Sequence, residues 1–412
     1  MNTSKARTVR GYRTLVGILA ALTRGTLTLA VLSALLLIAV RSAHAQTETV
    51  LYTFCSVGMN PYCYDGAQPT GNLVLDSEGN LYGTTTWGGA VVPALGTVFK
   101  VTPSGTETVL HTFTGGADGS EPYFAGVVFD KAGNLYGTTD NGSAYVAGTV
   151  FKLTPTGTET VLYTFSYNSP NGTFPMAGVV LDKAGNLYGT TAAGGATNHG
   201  TVFKLTPAGT ETVLYSFKGG KDGCSQYGGV VLGSNGDLYG TTSGEGCSSL
   251  GTVFKLTPTG TETVLHRFVS NPKDGSDPKA GLVIDSKGNL YGTTYYGGTH
   301  GYGTVFKVTP TGTETVLHSF TGLDGENPQA SVIRDTAGNI YGTTYIGGAN
   351  NYGTVFKLTP TGTETVLHSF AGYPADGAYP LTGVVLDTKG ILYGATYGGG
   401  AYALGMVFKL VQ

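Results

Sequence analysis

The sequence predicts an all-β fold, a seven-bladed β-propeller with four antiparallel strands in each blade. A pattern close to GNLYGTT, GTVFKLTPTG and TETVLHSF returns seven times, at a spacing of roughly 52 residues. Each copy contains four short apolar or alternating segments, separated by glycine, proline and asparagine. The first copy begins with its TETVL piece at Thr47, whereas the last reaches Leu410 without one. A ring that is closed by its N-terminal strand requires this offset.

The third copy shows the four strands of one repeat. Residues 178–181 form an apolar run, and residues 186–191 follow it after a DKAG turn. Residues 201–206 and 210–217 form the third and fourth segments, joined by a turn that contains proline and glycine. The 67 glycines of the chain would weaken helices. An open β-helix is the competing fold, but it needs distinct capping ends, and both terminal copies here are ordinary.

A different kind of sequence precedes the repeats. Basic residues lie within the first 13 positions, an apolar run spans 29–40, and an A-x-A cleavage site lies at 43–45. We therefore expect residues 1–45 to be a secretory signal peptide and residues 46–412 to be the propeller. An uncleaved signal anchor is the alternative, because residues 15–22 are also apolar. With cleavage, we expect no membrane span in a protein that is secreted, periplasmic or held at the cell surface.

Charge gives little indication of a partner. The net charge is −3, and 12% of the residues are charged. The repeated lysines and glutamates are spread around the ring, without a basic stripe or an acidic tail. We therefore expect no nucleic-acid partner.

Four cysteines fit an oxidising compartment. They fall into two local pairs, which we expect to form the disulfides Cys55–Cys63 and Cys224–Cys247. Zinc is the competing interpretation, but the spacings differ from C-x-x-C.

The alternating direction of the strands divides the loops between two faces. We letter the strands of a blade a to d from the centre outward. The a–b and c–d turns share one face and are short and nearly uniform. The d–a and b–c loops share the other face, here named the loop face, and carry every change of length. Since binding residues tend to lie on loops of a rigid scaffold, we expect function on the loop face.

A DGxxP-type motif recurs in the d–a loops, for example from Asp118 to Pro122. A ring of aspartates could bind cations, but an Asp-Gly turn that all blades share is better explained as turn structure. Four histidines occupy one repeated position that tyrosine fills in other copies, which favours a structural role for them. We expect no metal site and no cofactor.

Aromatic residues at the end of the second strand are the strongest candidates for a binding site. They are Trp87, Tyr295, Tyr296, Tyr345 and Tyr397. Exposed rings around a depression suit sugars or peptides. The alternative is that these rings pack between blades. Three of the four blades involved are consecutive, and the fourth adjoins them after ring closure, so we expect the rings to share one arc of the loop face.

Motifs of known catalytic sites are not found. The chain has no G-x-S-x-G, no H-E-x-x-H and no glycine-rich phosphate loop. Acidic residues that belong to one blade only are the candidates for an enzymatic site at the central channel: Glu121, Asp140, Glu245 and Glu326.

The pattern GNLYGTT…GG…GTVFKLTPTGTETVLHSF resembles the GloVer, or choice-of-anchor, tandem repeat of exported bacterial proteins. The resemblance covers nearly all of residues 46–412 and departs locally, for example at Ile391 and Met406. It implies a secreted or surface protein whose activity is generally not established. Relatives carry a C-terminal anchoring tail that this sequence does not show.

These observations favour a monomeric binding or scaffold propeller that recognises an extracellular glycan or protein through its loop face. A propeller enzyme is the alternative, a lyase, hydrolase or lactonase with a carboxylate or metal site at the channel.

Overall fold

The computed structural model describes residues 47–59, 62–90, 95–142, 145–167, 169–269 and 272–412. The predicted signal peptide lies outside the described residues. Within the described part of the chain every regular element is a strand, and no helix there could cross a membrane. Six four-stranded sheets and one five-stranded sheet form the seven blades. The prediction of a seven-bladed propeller is confirmed.

The strands of the seven blades are as follows, in chain order of the blades. Strands a are Val74–Leu75, Val128–Phe129, Val180–Leu181, Val231–Leu232, Val283–Ile284, Ile333–Arg334 and Val384–Leu386. Strands b are Leu81–Trp87, Leu135–Thr139, Leu187–Thr191, Leu238–Thr242, Leu290–Thr294, Ile340–Thr344 and Leu392–Thr396. Strands c are Thr97–Val101, Val146–Leu153, Thr201–Leu205, Thr252–Leu256, Thr304–Val308, Thr354–Leu358 and Met406–Val411. Strands d are Glu107–Thr112, Glu159–Ser166, Glu211–Ser216, Glu262–Arg267, Glu314–Ser319, Glu364–Ser369 and, in blade 7, Thr47–Thr53.

Strand d of blade 7 comes from the N-terminal end of the described chain. Thr47 pairs with Val411 and Thr53 with Met406, in antiparallel register. A bulge between Val50 and Tyr52 interrupts this pairing at the place where all other blades carry the same irregularity. The first strand therefore occupies the position that a contiguous fourth strand holds in the other six blades. The predicted ring closure is confirmed.

Phenylalanine pairs hold neighbouring blades together. Phe54 follows strand d of blade 7 and packs edge to face on Phe99 of blade 1, with ring centroids 5.0 Å apart. The same pair recurs at every other blade junction, at 5.2 or 5.3 Å. Phe99 also covers Gly83 of the LYGTT segment, where a Cβ would lie 2.8 Å from the ring. The repeated glycine of strand b is therefore required by close packing.

The LYGTT tyrosines are anchored on the face of the a–b turns. Tyr82, for example, donates a hydrogen bond to Asp76 of the neighbouring turn at 3.1 Å. The a–b and c–d turns of one blade also touch, since a Cβ on Gly79 would lie 3.3 Å from Pro103. These contacts confirm that the uniform turns share one face.

The d–a and b–c loops meet on the opposite face. Ala67–Pro69 pairs with strand b of blade 1, Gly275–Ser276 with Tyr296–Gly297, and Gly377–Ala378 with Gly398–Gly399. A short hairpin of Gly58–Met59 and Tyr62–Cys63 adds to this face beside blade 1. Backbone pairing between loops makes the loop face a supported platform.

Both predicted disulfides are present, Cys55–Cys63 and Cys224–Cys247. The first closes a turn beside the N-terminal strand, and the second joins the d–a loop before blade 4 to the b–c loop of that blade.

Replacing each pair with serine is expected to lower the free energy of unfolding by about 2.5 kcal/mol for Cys55–Cys63 and about 3.5 kcal/mol for Cys224–Cys247, since the longer crosslink removes more chain entropy from the unfolded state. Urea unfolding of the two double variants measures both values. Free thiols in the purified wild-type protein would contradict the assignment.

Candidate ligand-binding site

A cavity of about 230 Å³ lies at the centre of the ring. Residues from all seven blades line it, and its wall combines inner-strand valines and glycines with a few polar side chains. The polar members are Thr70, Asn72, Tyr227, Lys279, Gln329 and Ser331. Of these residues, four directly follow the DGxxP-type motif: Thr70, Tyr227, Lys279 and Gln329. They lie where the loop face meets the cavity, and we name this region the channel mouth.

Two further positions of each blade belong to the loops around this mouth. One is the fourth residue of the DGxxP-type motif. The other is the residue directly after the GTT of the LYGTT segment. A backbone hydrogen bond joins the two in blades 2 to 7, for example from the Tyr295 amide to the Asp277 carbonyl at 3.0 Å. The loop backbone is thus nearly the same in each blade, while both side chains vary.

The fourth motif residue is left-handed in every blade, although none is glycine. The residues are Gln68, Glu121, Phe174, Ser225, Asp277, Asn327 and Tyr379, with φ between 53° and 59°. Left-handed φ costs free energy for side chains larger than glycine and concentrates at ligand sites. We name these residues the left-handed ring. The backbone of the left-handed ring is the same in all seven blades, whereas its side chains differ. Its side chains are therefore suited to contacts that differ from blade to blade.

The residue directly after GTT is tyrosine in three consecutive blades: Tyr295, Tyr345 and Tyr397. All three side chains are half-buried. Tyr345 packs on Tyr379 of the left-handed ring with ring centroids 5.4 Å apart. The structure therefore brings part of the predicted aromatic arc into contact with the mouth.

Trp87 does not occupy the same position as these tyrosines. It pairs with Ala67 as Tyr296 pairs with Ser276, so Trp87 is equivalent to Tyr296. Neighbouring residues of a strand point to opposite sides, so one step in register changes the side. Trp87 of blade 1 and Tyr296 of blade 5 are exposed by 41% and 51% on the loop face. The predicted grouping of Trp87 with Tyr295 is wrong by one residue. Thr86, not Trp87, is the blade 1 residue equivalent to Tyr295.

Tyr123 lies in the d–a loop before blade 2, on the side of the mouth opposite the tyrosine arc. Burial raises the pKa of Tyr123, and the charges of Tyr397, Tyr345 and Asp140 raise it further. These residues come from blades 2, 6 and 7. The Tyr123 ring lies 4.3 Å from that of Phe124, which lines the cavity.

Lys279 is held within the mouth by aromatic rings and carboxylates. Its ammonium lies 4.7 Å from the ring centre of Tyr295 and 5.7 Å from that of Tyr227. It also lies 3.5 Å from Asp277 and 3.6 Å from Glu245. Burial raises the pKa of Tyr227 to about 12, with the charge of Glu245 contributing. Lys279 therefore links rings and carboxylates of neighbouring blades on this side of the mouth.

Asp140 and Glu121 form a carboxylate pair in blade 2. The amide of Asn141 lies 3.4 Å from Asp140 Oδ2 and 3.3 Å from Glu121 Oε2. Asp140 is 9% exposed, and its Oδ1 has no hydrogen-bond partner. Burial raises the pKa of Asp140 to about 7, and the charge of Glu121 contributes. Asp140 thus changes protonation near neutral pH and has a free acceptor.

A second set of titratable groups lies between blades, away from the mouth. In blade 6, His368 Nε2 lies 3.0 Å from Asp376, and Glu48 of blade 7 completes a cluster whose ligand atoms lie within 4.8 Å of one another. Equivalent clusters are His266, Asp274 and Glu314, and His318, Asp324 and Glu364. These three could hold a metal ion. In blade 7, however, the Tyr52 hydroxyl donates to Asp65 at 2.6 Å in the same position. Because a phenol replaces the imidazole, we assign the clusters to blade-to-blade linkage.

Several residues of the mouth were not predicted from the sequence. Tyr123, Tyr227 and Lys279 lie directly after the DGxxP-type motif, and Asp277 and Tyr379 lie within it. The detectable signal is that the fourth motif residue differs in every blade, and the residue after the motif varies between most blades, while the surrounding motif repeats. The predicted residues Asp140, Glu121, Glu245 and Glu326 all lie in loops of the loop face, and the first two contact a common amide.

Comparison with solved structures finds other proteins of similar fold. A gluconolactonase from Xanthomonas campestris is 14% identical, with a TM-score of 0.42, over 72% of this chain and 85% of its own. A candidate 6-phosphogluconolactonase from Bacteroides uniformis is 17% identical, with a TM-score of 0.47, over 80% of this chain and 88% of its own. We draw no functional conclusion from either. No curated protein matches the sequence.

The repeat pattern itself has a match that covers most of the chain. The Gloeobacter/Verrucomicrobia repeat aligns with residues 40–253 and again with residues 226–412. The seven blades observed in the structure correspond to the seven copies of the pattern. The chain is therefore a member of the Gloeobacter/Verrucomicrobia repeat family.

Proposed function

We propose that the protein is an exported binding propeller that recognises an extracellular glycan at the channel mouth. The observation that carries this proposal is the position directly after GTT. It holds tyrosine in blades 5, 6 and 7, and threonine, aspartate, alanine and serine in blades 1 to 4. A structural role would be expected to repeat in every blade, whereas one binding site needs rings on one side only.

The chemistry of the mouth suits a sugar. Half-buried tyrosine rings offer apolar faces to the C–H side of a pyranose, and their hydroxyls lie at the polar edge. Glu121 of the left-handed ring, which is not fully buried, supplies a hydrogen-bond acceptor for hydroxyl groups. The exposed rings Trp87 and Tyr296 extend the surface for a longer oligosaccharide or for a glycan on a protein.

A glycan array probed with the purified propeller tests this proposal. We expect Tyr345→Ala to weaken binding of the best glycan by about tenfold, as expected for loss of one stacking ring, and Trp87→Ala to weaken binding of longer oligomers. Isothermal titration measures both effects. Tyr145→Ala is the matched control, because Tyr145 is 84% exposed and lies further along a b–c loop.

Thermal melting separates binding from packing. If Tyr345→Ala and Trp87→Ala each cost roughly 3–5 kcal/mol of stability, the rings belong to the core and the proposal fails. An array without a bound glycan also counts against it.

An enzyme is the second candidate, and Asp140 is the observation that favours it. A buried carboxyl group with a pKa near 7 beside a second carboxylate suits general acid or base catalysis. A lyase, hydrolase or lactonase would use Asp140 and Glu121 on a substrate in the mouth. Turnover of an array-selected glycan, abolished in Asp140→Asn, would support this candidate.

A further inference from the structure

The carboxylate pair of blade 2, Asp140 and Glu121, includes an oxygen atom without a hydrogen-bond partner. Asp140 is nine-tenths buried, and its Oδ1 has no hydrogen-bond partner. The other oxygen shares one Asn141 amide with Glu121, at distances beyond 3.2 Å on both sides. A buried carboxylate oxygen without a donor costs free energy until a ligand supplies one. Asp140 Oδ1 therefore lacks a donor, and a cationic donor placed between the two side chains would bind both carboxylates.

The charge of the whole mouth favours the same class of ligand. Lys279 brings in a positive charge, but Asp277 and Glu245 lie within 3.6 Å of it. Asp140, Glu121 and the partly exposed Glu326 remain as further acidic side chains on this face. An acidic sugar would meet repulsion here, whereas a ligand with a positive charge would be attracted.

Aromatic rings beside the carboxylates add a second attraction for a cation. Tyr123 precedes Phe124, which lines the cavity, and the two rings lie 4.3 Å apart. The backbone amides of Tyr123 and Asp140 both donate to the Glu121 carbonyl, at 2.7 and 3.1 Å, so Tyr123 lies beside the carboxylate pair. An ammonium near a tyrosine face and a carboxylate gains from both contacts. Neutral hydroxyl groups would gain from the hydrogen bond alone.

From these contacts we propose that the mouth selects glycans that carry a protonated amine, with Asp140 and Glu121 binding the ammonium group of a 2-amino-2-deoxy sugar. The inference rests on the proposed glycan-binding function and adds the class of sugar. The tyrosine arc binds the sugar faces of neighbouring residues, and the blade 2 pair determines which sugar is preferred.

Titration with glucosamine oligomers and with the same oligomers fully N-acetylated tests the inference, because acetylation removes the charge and keeps the ring. We expect the amine form to bind at least about tenfold more tightly. Asp140→Asn and Glu121→Gln should each reduce this preference, while Tyr345→Ala should weaken both oligomers equally. Glu78→Gln is the control, since it removes the same charge from an exposed turn on the opposite face.

The possible results distinguish the preference for an amine from glycan binding itself. Equal binding of both oligomers, or tighter binding of a uronic acid oligomer, overturns the amine preference and leaves glycan binding in place. Binding of oligolysine that depends on Asp140, without binding of either sugar, also overturns it. If no glycan of any class binds, the proposed function fails as well. Melting curves of Asp140→Asn and Glu121→Gln confirm that each variant is folded before titration.

Discussion

A chain that lacks residues 47–54 is expected to melt far below the full-length protein or to aggregate. Deletion removes six paired positions along Met406–Val411 and leaves that strand as an open edge. It also removes Phe54, which is fully buried against Phe99. Loss of a buried phenylalanine alone costs about 3–5 kcal/mol, so we expect the deletion to cost more than about 5 kcal/mol. Differential scanning calorimetry measures the effect.

Two controls make the closure test specific. Phe54→Ala and Phe165→Ala change equivalent residues, one in the closing strand and one in the contiguous strand d of blade 2, and should cost similar amounts if closure is complete. A synthetic peptide of residues 46–56 should bind the truncated protein and raise its melting temperature. A truncated chain that melts like the full-length protein would show that the seventh blade does not need the N-terminal strand.

Stability is expected to fall as the pH rises from about 5 to about 8. Burial raises the pKa of Glu107 to about 8, and the charge of Asp65 adds to the rise. The equivalent residues of the other six blades have pKa values raised by burial to about 7; they are Glu48, Glu159, Glu211, Glu262, Glu314 and Glu364. One buried oxygen of each of these seven residues has no hydrogen-bond partner.

The direction follows from proton binding. A glutamate whose pKa is higher in the folded state binds protons more tightly there, so its contribution is complete below about pH 4.5 and is lost as the pH passes through about 7. Hydrogen bonds from His368 and the Ala371 amide outweigh burial and lower the pKa of Asp376, but that contribution is lost only at more acidic pH. Between about pH 5 and about pH 8, the glutamates therefore dominate, and we expect the melting temperature to fall by about 5 °C or more.

Calorimetry across this range, repeated with EDTA to remove bound metal, measures the dependence. Glu107→Gln resembles the protonated side chain and should raise stability at about pH 8 while making the pH profile shallower. Glu78→Gln, on an exposed turn, should change neither. A melting temperature that is constant or rises between about pH 5 and about pH 8 would contradict the expected linkage.

The fold could be predicted almost completely because its determinants repeat. The GTVF and TETVL segments occur in every copy, so the missing fourth strand of the last copy indicated which segment closes the ring. The cysteines fall into two local pairs, and strand direction places the loops of Cys224 and Cys247 on one face, which was enough to predict their disulfide.

The mouth could be predicted only in part because it depends on residues that do not repeat. Trp87 and Tyr295 both follow strand b closely in sequence, but a difference of one residue places their side chains on opposite sides. Lys279 follows the proline of a motif that is interpreted from the sequence as turn structure, and its neighbour Tyr227 belongs to another blade. The repeated glutamates occupy polar positions of an alternating strand in sequence, and their partial burial depends on the adjacent blade.

The left-handed ring has a consequence for how the proposed binding site could be diversified. The seven residues include two amides, two acids, a hydroxyl and two aromatic rings on one backbone shape, and each bears a conformational cost of about 1 kcal/mol or more. Since the cost arises from the main chain and not from a particular side chain, one residue can replace another without remodelling the loop. A library randomised at these seven positions would thus diversify recognition on a constant framework, much as hypervariable loops do on a conserved domain.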